Sequence, residues 1–291
     1  MFYLIATILL NVVISAIFKV FPRFKIDALQ AIVVNYCVCV VTGSLFIGRL
    51  PFRASAVGEP WFLWALLMGA SFISIFNLIA YCTRTDGITT TTIANKLSLV
   101  IPVVFSVFLF HEPFGWGKAA GVLLAFPAVY LTTRVKEDNG KMQRLFFPVL
   151  LFVGSGLLDT VVNYVQHNLL AGDELQATFT IYCFAVAGVI GILFLSIMVM
   201  MGKVQLHARN IIAGICVGIP NYFSIYFLIR ALNSNLLTSS AAIPVINIGV
   251  LVASTVTALI VFREKVNAQR IIGLVLSIVA ILLITYAELK K

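Results

Sequence analysis

Charge is scarce in this sequence. Asp, Glu, Lys and Arg together make up 11% of its 291 residues, against about 25% in a soluble domain. Acidic residues are scarcest, 11 against 20 Lys and Arg. The chain is 61% hydrophobic and its mean hydropathy is +1.07. One soluble core cannot bury that much apolar surface, and large exposed patches aggregate. These shortages exclude a cytosolic enzyme, a disordered chain and a nucleic-acid-binding protein. The net charge of +9 reads instead as the basic flanks of membrane helices. Cysteine and histidine are also few, 5 and 3. Cys37, Cys39, Cys82, Cys183 and Cys216 all lie in apolar stretches, and Cys37-x-Cys39 is too close for a zinc knuckle. They read as small packing residues, so no metal or cofactor is expected. Paired aspartates, Ser with His, and H-E-x-x-H are all lacking. The chain is therefore not expected to be an enzyme. Its start, Met-Phe-Tyr-Leu-Ile, has no basic n-region and reads as a retained first span.

What remains is apolar run after apolar run. A spanning helix needs about 20 apolar residues. The spans read as 2–21, 28–47, 61–82, 89–110, 116–133, 145–166, 177–201, 210–230, 238–262 and 271–287. They are too long for soluble strands and lack the alternation of a barrel. Helices satisfy their own backbone groups in lipid. The expectation is an all-α membrane protein of ten transmembrane helices. The most polar stretch, Thr132 to Arg144, divides the chain into units 1–133 and 145–291.

The two units look alike. FHEPFGWGKAAGVLLA from Phe110 matches FREKVNAQRIIGLVLS from Phe262. One shift of 152 places Phe110 on Phe262, Glu112 on Glu264, Lys118 on Arg270, Gly121 on Gly273, Ala125 on Ser277 and Asn95 on Asn247. This is the pattern of an internal repeat. Five spans per repeat put the second copy upside down, a recurring plan of secondary transporters. A shift of 148 sets Asn11 on Asp159 and Lys19 on His167, pairing spans 1 and 6.

The F-x-E…G pattern after the fourth and ninth spans, with Pro102, Lys19 and the overall length, resembles the drug/metabolite transporter superfamily in its ten-span, EamA-like branch. Span 1 lacks a Trp often found there in that family. The resemblance implies two inverted five-helix repeats in the bacterial inner membrane. Spans 1, 3, 4, 6, 8 and 9 would then face a central cavity, with 5 and 10 packed peripherally. Gly117-x-x-x-Gly121-x-x-x-Ala125, Gly273-x-x-x-Ser277 and Gly214-x-x-x-Gly218 are small-residue ridges that let helices approach. The family implies both ends in the cytoplasm. Lys and Arg are more numerous in the segments this leaves outside, and the positive-inside rule favours the opposite orientation.

Polar groups inside hydrocarbon are costly and need partners or water. Lys96 lies deep in span 4 beside Asn95, and Pro102 cannot donate to the carbonyl of Ser98. Pro244 similarly frees the carbonyl of Ser240 near Asn247. Asp159 is the carboxylate at depth, free to pair with Lys96 or to take a proton. Asn163 shares its face at i+4; His167, further along, reads as interfacial. Span 3 carries the stripe Asn77, Tyr81, Arg84, and span 8 carries Tyr222, Tyr226, Arg230 beside Asn221. Each stripe faces either the cavity or a Tyr/Arg membrane belt. With Asn11 and Lys19 these are the candidate substrate-binding residues. Counting Lys19, Arg84, Lys96 and Arg230 against Asp159 gives a cationic excess, which favours an anionic or zwitterionic solute. Glu112 and Glu264 read as helix-entry residues, where the macrodipole favours an anion.

The expected function is secondary transport of an amino acid or similar small solute by alternating access. The alternative is a flippase for a lipid-linked sugar or polyprenyl phosphate. Expected partners are the solute and membrane lipid, in a monomer or homodimer.

Overall fold

The structure is a computed structural model describing residues 2–109, 115–133, 146–170, 172–232, 239–264 and 267–289. Among the described residues there is no strand. The helices are α1 (Phe2–Val20), α2 (Ala28–Phe46), α3 (Phe62–Thr85), α4 (Ile88–Leu97), α5 (Val100–Leu109), α6 (Trp116–Thr133), α7 (Phe146–Leu169), α8 (Asp173–Met200), α9 (Ala208–Leu232), α10 (Ser239–Ile260) and α11 (Ala268–Leu289). Eight runs are long and apolar enough to cross a bilayer: α1, α2, α3, the run Ile88–Phe105, and α7, α8, α9 and α11. α6 and α10 are apolar over shorter lengths. The chain is an all-helical, multi-pass membrane protein. Its outward stripes suit lipid, with Leu63 and Leu67 of α3, Val153 and Leu157 of α7, and Ile271 and Ile272 of α11 exposed.

Span 4 breaks where its proline requires. Pro102 has no N–H to offer the carbonyl of Ser98. α4 stops at Leu97 and α5 begins at Val100. The freed Ser98 carbonyl accepts from the Ile101 N–H at 2.9 Å, and the Ser98 hydroxyl donates to the Asn95 carbonyl at 2.5 Å. α10, by contrast, runs unbroken through Pro244.

A polar knot fixes the α1–α2 turn against the α8–α9 turn. Asp27 caps α2 by accepting from the Gln30 N–H at 2.9 Å. Its own N–H donates to Asn210 Oδ1 at 3.0 Å. Asn210 Nδ2 donates to Gln30 Oε1 at 2.7 Å, and Gln30 Nε2 donates to the Gln205 carbonyl at 2.9 Å. Residues unable to pay for burial alone are thus satisfied together.

The packing partners come in corresponding pairs. α2 packs on α9, and α8 on α3; α1 packs on α9 and α10, and α7 on α3 and α4. α6 and α11 lie along one another through their small-residue ridges. A Cβ at Gly121 would come within 2.8 Å of the Ala280 carbonyl, and one at Gly273 within 2.9 Å of the Ala128 carbonyl. Gly273 and Ala280 are Gly121 and Ala128 moved by the same 152 positions. The contact is therefore reciprocal.

Valine at either glycine overfills this backbone contact. Gly121→Val and Gly273→Val should each destabilise the protein by about 1–3 kcal/mol, read as lower melting temperatures in detergent. Gly58→Ala, where a Cβ meets nothing within 4 Å, should leave the temperature unchanged.

Candidate functional site

Asn95 and Lys96, just before the break of α4, line an interior chamber with two lobes. The larger, of about 160 Å³, is lined by Ser155 and Asp159 of α7, by Tyr36 of α2, and by Phe72 and Phe184 among other apolar residues. The smaller, of about 80 Å³, is lined by Asn11 and Ser15 of α1, Thr91, Thr92 and Lys96 of α4, and Ser224 of α9. Asn95, Asn221, Phe76 and Ile79 line both lobes and form the neck between them.

The amides at the neck are held by neighbouring helices. Asn95 Nδ2 donates to Ser155 Oγ at 3.0 Å, joining α4 to α7. Asn221 Nδ2 donates to Asn35 Oδ1 at 3.1 Å, joining α9 to α2. The Cys39 thiol donates to the Gly218 carbonyl at 3.4 Å and supports the same crossing. In α1, Asn11 Nδ2 donates to the Thr7 carbonyl at 2.9 Å. The amide oxygens of Asn11 and Asn95 are engaged by no described residue.

Asp159 faces the chamber and not the exposed apolar stripe of its helix. The lipid stripe of α7 runs through Val149, Leu150, Val153 and Leu157, all exposed. The opposite stripe holds Leu151, Phe152 and Ser155, all buried. At 100° per residue, Asp159 falls on that inward stripe, yet it is exposed. Its surface is therefore surface of the chamber. Asn163, one turn on, is exposed on the same inward side. Asp159 and Lys96 both line the chamber. Among the described residues neither has an ion pair, and each feels the other's charge across the chamber.

The other expected cations lie elsewhere. Lys19 sits two turns past Asn11 and ion-pairs with Glu264 at 2.9 Å, so it is not a chamber residue. Glu264 is not an entry residue of α11: its Oε1 also accepts from the Ile88 N–H at 3.0 Å and caps α4. The stripe Asn77, Tyr81 and Arg84 lies opposite Phe72, Ile75, Phe76 and Ile79, the chamber face of α3. Asn77 donates to the Ile73 carbonyl, Arg84 to the Ala80 carbonyl, and Tyr81 packs on Phe147 at 4.6 Å. This stripe belongs to the lipid-facing side. Tyr222 and Tyr226 turn toward α2, where Phe46 meets Tyr226 at 4.4 Å and Tyr222 at 6.3 Å. Arg230 Nε donates to the Tyr226 hydroxyl at 3.0 Å. Asn247 is buried on α10 and is not part of the chamber wall; Val250, one turn on, is. The side chain of His167, and Glu112 and Phe110 entirely, lie outside the described residues.

Of the expected residues, the chamber wall brings together Asn11, Asn95, Lys96, Asp159 and Asn221. Reading the sequence missed Asn35, Ser155 and Ser224; the threonine run 89–92 reads from the sequence only as donors to backbone carbonyls, as Thr91 is to Gly87, yet Thr91 and Thr92 line the smaller lobe. Asn35, alone among apolar neighbours in VVNYCVC, was the one detectable signal.

One end of the chamber is sealed. Phe76 stacks edge-on against Phe18 at 5.1 Å, and Phe18 against Phe21 at 5.3 Å. Both Phe18 and Phe21 are fully buried. One turn beyond Ser15 and Thr92 lies the Lys19–Glu264 pair on the Ile88 amide. Gly87, at φ +94°, leaves room for it: a Cβ there would come within 2.8 Å of Glu264 Oε2. Asp86 lies beside this seal, accepting from the Thr85 hydroxyl at 2.9 Å, while Arg270 Nη2 donates to its backbone carbonyl at 3.5 Å.

No family model matches the sequence. An uncharacterized protein of Haemophilus influenzae is 28% identical over 297 aligned positions, covering 98% of this chain and 98% of that one. A protein of known crystal structure superposes with a TM-score of 0.59 at 13% identity, covering 98% of this chain and 99% of that one. At that identity the likeness concerns the fold alone.

Burial raises the Asp86 carboxyl from its ordinary value, opposed by the Thr85 hydrogen bond and the Arg270 charge. A raised carboxyl contributes stability that is full below its ordinary value near 4 and is lost as pH rises through the raised value. Asp86→Asn cannot ionise. Melting curves should therefore show the wild type losing ground to Asp86→Asn as pH rises from about 4 toward neutrality.

Proposed function

We propose that this protein is a secondary transporter of an amino acid or other small anionic or zwitterionic solute, working by alternating access in a bacterial inner membrane. The observation that carries the reading is the chamber: Lys96 and Asp159 both face it, at a helix break, without a partner among the described residues. Ionised groups in a membrane core mark solute and ion pathways. Broken helices at mid-membrane are a recurring feature of transporter binding sites.

Two further features support it. The corresponding helix pairs and the reciprocal α6–α11 contact suit two inverted five-helix repeats, 1–133 and 145–291, with α4 and α5 forming one crossing. This is the plan of the EamA-like transporters that the sequence resembles. The seal joins α1 and the start of α4, from the first repeat, to the segment carrying Glu264, from the second. Rocking one repeat against the other would open that seal and close the chamber's other end. Such bistable ion pairs are a usual element of switching interfaces.

Each charge removed from the chamber deletes a charge-assisted contact, about 1.5–3 kcal/mol, or about tenfold or more in affinity. Lys96→Ala and Asp159→Asn should each cut solute flux into proteoliposomes by about that factor while remaining folded. Undiminished flux in both variants would overturn the reading. Movement of only polyprenyl phosphates would replace it with the flippase.

A further inference from the structure

The structure changes the charge count at the site. Lys19 is committed to Glu264, Arg84 to a backbone carbonyl on the lipid-facing side, and Arg230 to Tyr226. Among the described residues the chamber keeps one cation, Lys96, and one anion, Asp159. A balanced pair of fixed charges no longer favours an anion. An anionic solute would satisfy Lys96 and bring a like charge to Asp159. A cationic solute would do the reverse. A zwitterion meets both, and only it leaves no charge uncompensated at low dielectric.

The lobes differ in chemistry as well as charge. Lys96 shares the smaller lobe with Thr92, whose hydroxyl can donate to a carboxylate. Asp159 looks into the larger lobe, whose remaining wall is mostly apolar: the rings of Tyr36, Phe72, Phe76 and Phe184 stand there. Its volume of about 160 Å³ is close to the cavity of about 150 Å³ that takes up benzene in an apolar protein interior. A solute of only charged and small polar groups would leave this wall unfilled.

We propose that the chamber recognises a neutral zwitterion with a bulky apolar body, an α-amino acid bearing a ring or a branched aliphatic side chain. Its carboxylate lies toward Lys96, its ammonium toward Asp159 and its side chain between Phe72, Phe76 and Phe184. The inference rests on the transport reading for the identity of the site and names the solute class.

The test uses phenylalanine and three kinds of trimmed analogue: 3-phenylpropionate without the ammonium, phenethylamine without the carboxylate, and glycine and serine without the ring. Binding is read as a thermal shift of the purified full chain in detergent, a binder of the folded state raising the transition. Transport is read separately by counterflow of labelled phenylalanine in proteoliposomes. Phenylalanine should bind at least about tenfold tighter than any analogue. Asp159→Asn should reverse the preference toward 3-phenylpropionate, and Lys96→Met toward phenethylamine. These reversals are gains, which a merely misfolded variant cannot produce.

Glycine or serine binding as tightly as phenylalanine would overturn the apolar body. Wild-type preference for 3-phenylpropionate or phenethylamine would overturn the zwitterion. Flux of a sugar phosphate or dicarboxylate without phenylalanine binding would overturn this inference and leave the transport reading standing. Phenylalanine binding without flux would do the opposite. Neither binding nor flux with any of these solutes would overturn both.

Discussion

A polar group in hydrocarbon has no water to turn to, and the rest of this structure follows from that constraint. The spans solve it almost everywhere in the same local way. Thr7 donates to the Tyr3 carbonyl, Asn77 to Ile73, Thr160 to Gly156, Thr255 to Leu251 and Ser277 to Gly273, each four residues back. These groups are closed off within their own helix and have no work left to do. Lys96 and Asp159 stand apart because neither is answered so. Among the described residues, the chamber between α1, α2, α3, α4, α7, α8, α9 and α10 is their environment compatible with charge, and the broken span 4 sets Lys96 at its edge.

The same constraint shapes what surrounds the chamber. Asn95–Ser155 and Asn221–Asn35 each satisfy a polar pair across two helices, so the polar wall also holds the helices in place. The seal below it gathers Lys19, Glu264 and the Ile88 amide into one cluster, so that no member is buried alone. Under the proposed alternating access, this arrangement between the two units would be exchanged for another. α6 and α11, joined by backbone-close glycine contacts, offer the opposite: a tight seam away from the chamber.

Much of this was legible in the sequence. Apolar length placed the helices to within a few residues, because spanning lipid leaves little freedom in where a helix begins and ends. Pro102 announced the break after Leu97. Asn11, Asn95, Lys96, Asp159 and Asn221 stood out because an apolar run makes a polar residue conspicuous. What could not be read was which way a stripe faces. Asn77, Tyr81 and Arg84 have ideal helical spacing, but spacing fixes only that they share a side. The chamber side of α3 is wholly apolar, with Phe72, Ile75, Phe76 and Ile79, and so gave no signal. Lys19 and Glu264 were equally opaque, since their pairing depends on how segments from opposite ends of the chain meet. Lys19, Arg84 and Arg230 make the site look cationic in the sequence, whereas in the fold they contact Glu264, the Ala80 carbonyl and Tyr226.

The central claim is that Asp159 faces a water-reached chamber although it lies in the middle of an apolar helix. Thiol labelling in native membranes tests it directly, in a cysteine-free background carrying single replacements. Water-soluble methanethiosulfonate reacts with the thiolate, which forms in water and not in lipid. Asp159→Cys and Asn163→Cys should label, and Val153→Cys and Leu157→Cys on the opposite face should not. Equal reactivity on the two faces, or reaction only at Val153 and Leu157, would contradict the account.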